Sequence, residues 1–212
     1  MLDGINFLNF PYSYPSPFLD GVIGAEYGDA LVVDGTGDVL EDIAEIDLLD
    51  LSVLADETSV LLGLRIAGDV YAELGNYLIY FDTTDDENGA DIDVLRRPIM
   101  VADPHKPEYR LDIQIRNERG ASVAGYTLHL WTGEEWEEGT FTGGASITSG
   151  EPSTIELQIP RQLLGDPETV YIGIVSTNRG RVSTAGDILG SDDIPADWDE
   201  ALILDSFFPL EN

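Results

Sequence analysis

Three stretches of this chain set an apolar side chain at every second position: Leu62, Leu64 and Ile66; Leu111, Ile113 and Ile115; Ile155, Leu157 and Ile159. A period of two puts those side chains on one face of an extended strand and their neighbours on the other. Helical periodicity is nearly absent. The one helical signal is Arg161-Gln162-Leu163-Leu164, which follows Pro160, is stopped by Gly165 and reads as a single turn. Strands are expected over residues 47–54, 60–66, 77–81, 110–116, 122–131, 154–159 and 170–176, with residues 201–208 returning as an edge strand. Turn chemistry at residues 55–59 and 117–120 joins four of them into two hairpins. Short strands at this spacing predict an all-β fold, a two-sheet antiparallel β-sandwich of immunoglobulin or jelly-roll kind with little helix.

The prolines at positions 11, 15 and 17 forbid a helix at the start and remove donors from any central strand. Residues 1–19 therefore read as an extended lead-in, and residues 20–212 as one module without an internal repeat. At 43% hydrophobic content, a chain of 212 residues buries roughly 70% of its unfolded surface and needs no disulfide to hold a core. There is no cysteine to make one.

The chain carries 41 acidic residues against 10 basic, a formal charge of -31. A polyanion of this sign repels phosphate backbones and anionic lipid, which makes nucleic acid a poor partner. No apolar run approaches the ~20 residues of a membrane helix, so no membrane insertion is expected. The first six residues lack the basic start and apolar run of a signal peptide. Lys106 is the only lysine. Scarce lysine among many acids suits either a surface kept hydrated in high salt or an extracellular module loaded with cations. The second reading is preferred, because many of the acids cluster in loops.

Two such loops flank the strands of the first half. One is Asp34-Gly35-Thr36-Gly37-Asp38; the other runs from Asp82 through Asp85, Asp86 and Asp91 to Asp93. A third acidic stretch holds Asp187, Asp192, Asp193 and Asp197. Calcium takes six to eight oxygens from carboxylates, carbonyls and water, and acidic loops with glycine offer them while letting the backbone turn inward. Asp82, Asp85, Asp86, Asp91, Asp93, Asp34 and Asp38 are thus the candidate Ca2+ ligands. The bland alternative is a set of solvated turns built by Asp and Asn. The helix-flanked calcium loop does not fit, since Glu87 stands where its glycine belongs.

Other chemistry finds little purchase. Gly35-Thr36-Gly37 lacks the third glycine of a dinucleotide loop, and Lys106 follows His105 instead of the glycine of a phosphate loop. The Asp91-Ile92-Asp93 pair is too common a pattern in so acidic a chain to mark a sugar transferase. His105 and His129 stand apart, with no nucleophile elbow, and His129 is expected to face solvent on a sheet surface. Paired carboxylates for a glycosidase remain possible, but among 41 acids a pair proves nothing. The tryptophans say more. Trp131 and Trp136 flank the turn Thr132-Gly133-Glu134-Glu135, and Trp198 sits within the last acidic stretch. Indoles at a rim offer flat faces for sugar rings while nearby carboxylates accept hydroxyl hydrogen bonds. Trp131 has a competing reading as core; Trp136 and Trp198 are the better candidates for a binding face.

Residues 34–38, the run 47–53, Asp56 and Leu61-Leu62-Gly63-Leu64 resemble the opening of modules similar to the C-terminal domain of glucodextranase. Residues 76–82, and residues 155–161 with Leu164-Gly165, resemble the wider group that includes family 9 carbohydrate-binding modules. Asp20-Gly21-Val22-Ile23 before Glu26-Tyr27 looks like that group's first strand. The likeness implies a secreted β-sandwich that binds calcium structurally and accompanies glycan-acting enzymes in a larger multidomain or cell-surface assembly. Family 9 modules hold sugar between two tryptophans, though no pair here aligns with those two. The expected function is a non-catalytic, calcium-stabilised, carbohydrate-binding-like module. The alternative is an acidic structural or cell-envelope module without sugar binding.

Overall fold

The computed structural model describes residues 19–39, 42–72, 75–84, 87–101, 105–178, 185–191, 201–204 and 207–210. Of the expected lead-in, all but Leu19 lies outside the described residues. The strands are β1 (Val32–Val33), β2 (Leu48–Ala55), β3 (Ser59–Ile66), β4 (Asn76–Asp82), β5 (Ile99–Val101), β6 (Tyr109–Glu118) and β7 (Ala121–Trp131). They continue as β8 (Trp136–Gly139), β9 (Gly144–Thr148), β10 (Ser153–Pro160), β11 (Val170–Thr177), β12 (Ala185–Ile188), β13 (Leu202–Leu204) and β14 (Phe208–Leu210). Arg161–Leu164 forms the expected single turn, a 3-10 helix closed by Gly165 in the left-handed region.

These strands make an all-β sandwich. One antiparallel sheet runs β1-β2-β3-β10-β9; the other runs β12-β11-β4-β6-β7-β8, with β14 also paired to β11. Alternation decides which residues meet between them. Leu62, Leu64 and Ile66 of β3 and Ile155, Leu157 and Ile159 of β10 enter the same core as Ile79 of β4, Leu111 and Ile113 of β6, and Ile172 and Ile174 of β11. Each fully buried aliphatic side chain contributes about 1.5–3 kcal/mol relative to its exposed state, which makes this inter-sheet layer the main source of stability.

Both sheets are covered on their outer faces as well. Residues 19–31 strap the first sheet: an ideal Cβ on Gly63 would lie 2.9 Å from Ile23 Cγ1, so only glycine admits the strap at that height. Glu156 is fully buried beneath it, its carboxylate accepting the Gly21 amide at 2.5 Å and the Tyr27 hydroxyl at 3.2 Å. Over the second sheet lies a small parallel pair of β5 and β13. Ile99, Leu202 and Leu204 pack there with Leu78 and Tyr80 of β4 and with Val175, Ala185 and Ile188.

The end of the chain differs from expectation. Residues 201–208 do not form one edge strand: β13 pairs in parallel with β5, and β14 pairs antiparallel with β11. His129 also departs from its expected solvent-facing place. It is buried, with Nε2 3.5 Å from Asp112 Oδ2, because the outer face of its sheet is covered and carries a charged layer. In that layer Arg110 donates to both Asp112 oxygens, and its Nη1 stands 3.8 Å from Asp93 Oδ2.

Candidate functional site

One set of acids converges where the two sheets meet. The loop after β1 carries Asp34 and Asp38, the 3-10 turn Ala44–Ile46 delivers Asp47 to the start of β2, and β12 carries Asp187. One carboxylate oxygen from each of Asp38, Asp47 and Asp187 lies within 4.8 Å of the others. Asp47 is only 4% exposed and Asp187 is fully buried. Backbone amides hold them in place: Leu48 N donates to Asp187 Oδ2 at 2.6 Å, Ile188 N to Asp187 Oδ1 at 2.7 Å, and Gly37 N to Asp47 Oδ2 at 2.9 Å. The Oδ1 atoms of Asp38 and Asp47 are buried with no hydrogen-bond partner among the described residues. Asp34 borders the group and accepts the Gly190 amide at 2.6 Å, tying the β1 loop to the turn after β12.

The electrostatics follow from burial and like charge. Burial raises the Asp187 carboxyl to about 7, with repulsion from Asp38 and Asp34 adding to it and the Leu48 and Ile188 amides opposing. Burial also raises Asp47; the Gly37 amide opposes this, and Asp38 and Asp34 push further in the same direction. Protonation or a nearby cation would each relieve such repulsion.

The Asp82 loop is arranged differently. Asp82 ends β4 fully buried, 2.7 Å from His105 Nδ1, and accepts the Thr84 amide at 3.1 Å. Asp93 is buried, accepts the Arg97 amide at 2.8 Å and faces Arg110; burial raises its carboxyl. Asp91 is exposed. Among the described residues, Asp82, Asp91 and Asp93 are not brought together as a metal-sized group. Asp85, Asp86, Trp198, Asp192, Asp193 and Asp197 lie outside the described residues. Asp187, expected in an acidic loop, is instead a strand residue whose side chain turns inward. Asp47 stands in the sequence as the first residue of an expected strand and of the run 47–53, not as a candidate metal ligand. Its strand also carries Asp50 and Ser52, so no local pattern singles Asp47 out.

The second feature is a cleft of about 250 Å3 at the far edge of the larger sheet. β7 and β8 pair so that Trp131 stands opposite Trp136. Their ring centroids are 5.6 Å apart and the planes are tilted by 58°. The joining turn is closed by Thr132, whose hydroxyl donates to the Glu135 carbonyl at 2.8 Å, and by Gly133 at φ +94. Trp136 Nε1 donates to the Ile92 carbonyl at 2.6 Å, which fixes one indole against the loop that bears Asp93. Both tryptophans are half-buried; Glu134, Glu135 and Arg96 complete the mouth and are exposed. The volume falls just below the usual range of ligand cavities, about 300–1,000 Å3, and suits about one ring-sized group.

Fold and geometry together define an all-β, two-sheet sandwich with a buried carboxylate cluster between its sheets and an aromatic cleft at one edge. No family model, curated protein or solved structure matches the chain. Among the described residues no helix is long and apolar enough to cross a membrane.

Proposed function

We propose that the protein is a non-catalytic, calcium-stabilised, carbohydrate-binding-like module of extracellular type that works beside glycan-acting enzymes. The observation that carries the sugar reading is the cleft lined by Trp131 and Trp136. It sets two half-buried indoles at facing positions of one hairpin, with the Glu134 and Glu135 carboxylates at its rim. Stacking of a ring on an indole and acceptance of its hydroxyls by carboxylates is the physics such a cleft offers. The likeness to glucodextranase C-terminal-domain and family 9 modules supports the same reading.

A glycan array probed with and without chelator, followed by titration of tryptophan fluorescence, tests it. The wild type should retain at least one glycan, and Trp131→Ala and Trp136→Ala should each weaken that binding by about tenfold or more while unfolding cooperatively. Retention of no sugar in either condition contradicts the reading. A second reading, an acidic structural module without sugar binding, is favoured by one observation. The Trp136 indole already spends its N–H on Ile92, so the tryptophan pair also serves to pin the short β8 hairpin.

A further inference from the structure

We propose that Asp38, Asp47 and Asp187 form a site for one hard divalent cation, calcium in preference to magnesium, which clasps the two sheets of the sandwich together. The proposal rests on the calcium part of the functional reading and assigns it to one place. Two observations carry it independently. The three carboxylates converge to within 4.8 Å. The Oδ1 of Asp47, on a side chain only 4% exposed, has no hydrogen-bond partner among the described residues, and neither does Asp38 Oδ1. A buried carboxylate oxygen with no donor is costly to keep charged, and a bound ion removes that cost.

The ligand set bears on which ion. Magnesium keeps most of its water and is usually held by one or two carboxylates in a near-ideal octahedron, whereas calcium accepts six to eight oxygens in flexible geometry. Three protein carboxylates facing one point, two of them fixed by backbone amides, suit the more tolerant ion. Each of these amides takes one lone pair of its carboxylate oxygen and leaves the other for a cation.

The position gives the ion a mechanical role. Asp38 and Asp47 belong to the connection between β1 and β2 of one sheet, and Asp187 to β12 of the other. The same seam already carries the Ser176 hydroxyl on the Ile46 carbonyl at 2.5 Å and the Tyr77 hydroxyl on the Glu45 carbonyl at 2.6 Å. A cation there closes the seam at its most anionic point.

Calorimetric titration with calcium chloride, paired with thermal unfolding against sodium chloride at equal ionic strength, tests the proposal. The wild type should bind one ion at this site at about 1 mM or tighter and gain a higher Tm than sodium provides. Asp47→Asn and the half-buried Asp38→Asn should weaken that binding about tenfold or more and lose the calcium-specific rise, while Asp91→Asn keeps both. If the wild type binds calcium and both cluster variants bind it equally well, the site assignment is overturned and the calcium reading survives elsewhere in the molecule. If the wild type gains no more from calcium than from matched sodium, both fail.

Discussion

Arg110 shows how much a single side chain organises here. It is 2% exposed, and its Nε and Nη2 meet the two oxygens of Asp112 at 2.5 and 2.8 Å. Burial alone would raise the Asp112 carboxyl, but the Arg110 guanidinium and His129 outweigh it and hold the carboxyl below the ordinary carboxylate range. A folded-state value below the unfolded one makes the contribution complete above about pH 4 and lost as pH falls through the folded value. Asp112→Asn should therefore cost about 3–5 kcal/mol at pH 7 in urea unfolding, because it leaves a buried guanidinium without its carboxylate. It should also flatten the acid limb of the stability profile relative to wild type. A cost under about 1 kcal/mol would mean that Asp93 alone compensates Arg110.

At the scale of elements, the β6–β7 hairpin was legible and is also improvable. Its two-residue turn, Arg119-Gly120, has φ of +54 and +86, a conformation that suits Asn-Gly far better than Arg-Gly. Arg119→Asn should raise stability by about 0.5–1 kcal/mol, read as a shift in the urea midpoint at constant slope, and a lower midpoint would contradict that account of the turn. β3, β6 and β10 were readable because one face of each is apolar and the period is two. β8 reads Trp-Glu-Glu-Gly and shows no alternation; only its pairing with β7 makes it a strand. β13 and β5 lie about a hundred residues apart and pair over three residues, so no local pattern announces them. The same reasoning applies to the site. Asp34 and Asp38 were visible as a glycine-spaced pair, whereas Asp47 and Asp187 join them only because β2 and β12 come together through the fold. The Asp82 loop, richer in acid, attracted the stronger expectation. Yet local density of carboxylates says nothing of where they point, and Asp82 turns inward to His105.

For the whole molecule, a net charge of -31 opposes compaction, and the two-sheet core must hold against it. Salt screens repulsion between exposed charges more than about 8–10 Å apart but reaches buried carboxylates poorly. Bulk salt and the proposed ion would therefore act at different places: the first over the exposed acids, the second at the seam between the sheets. The most direct measurement is a crystal structure of the full chain grown with about 1 mM calcium. The account predicts an ion bonded at about 2.3–2.6 Å to oxygens of Asp38, Asp47 and Asp187. Those three carboxylates hydrogen-bonded to one another or turned apart, with no ion between them, would contradict it.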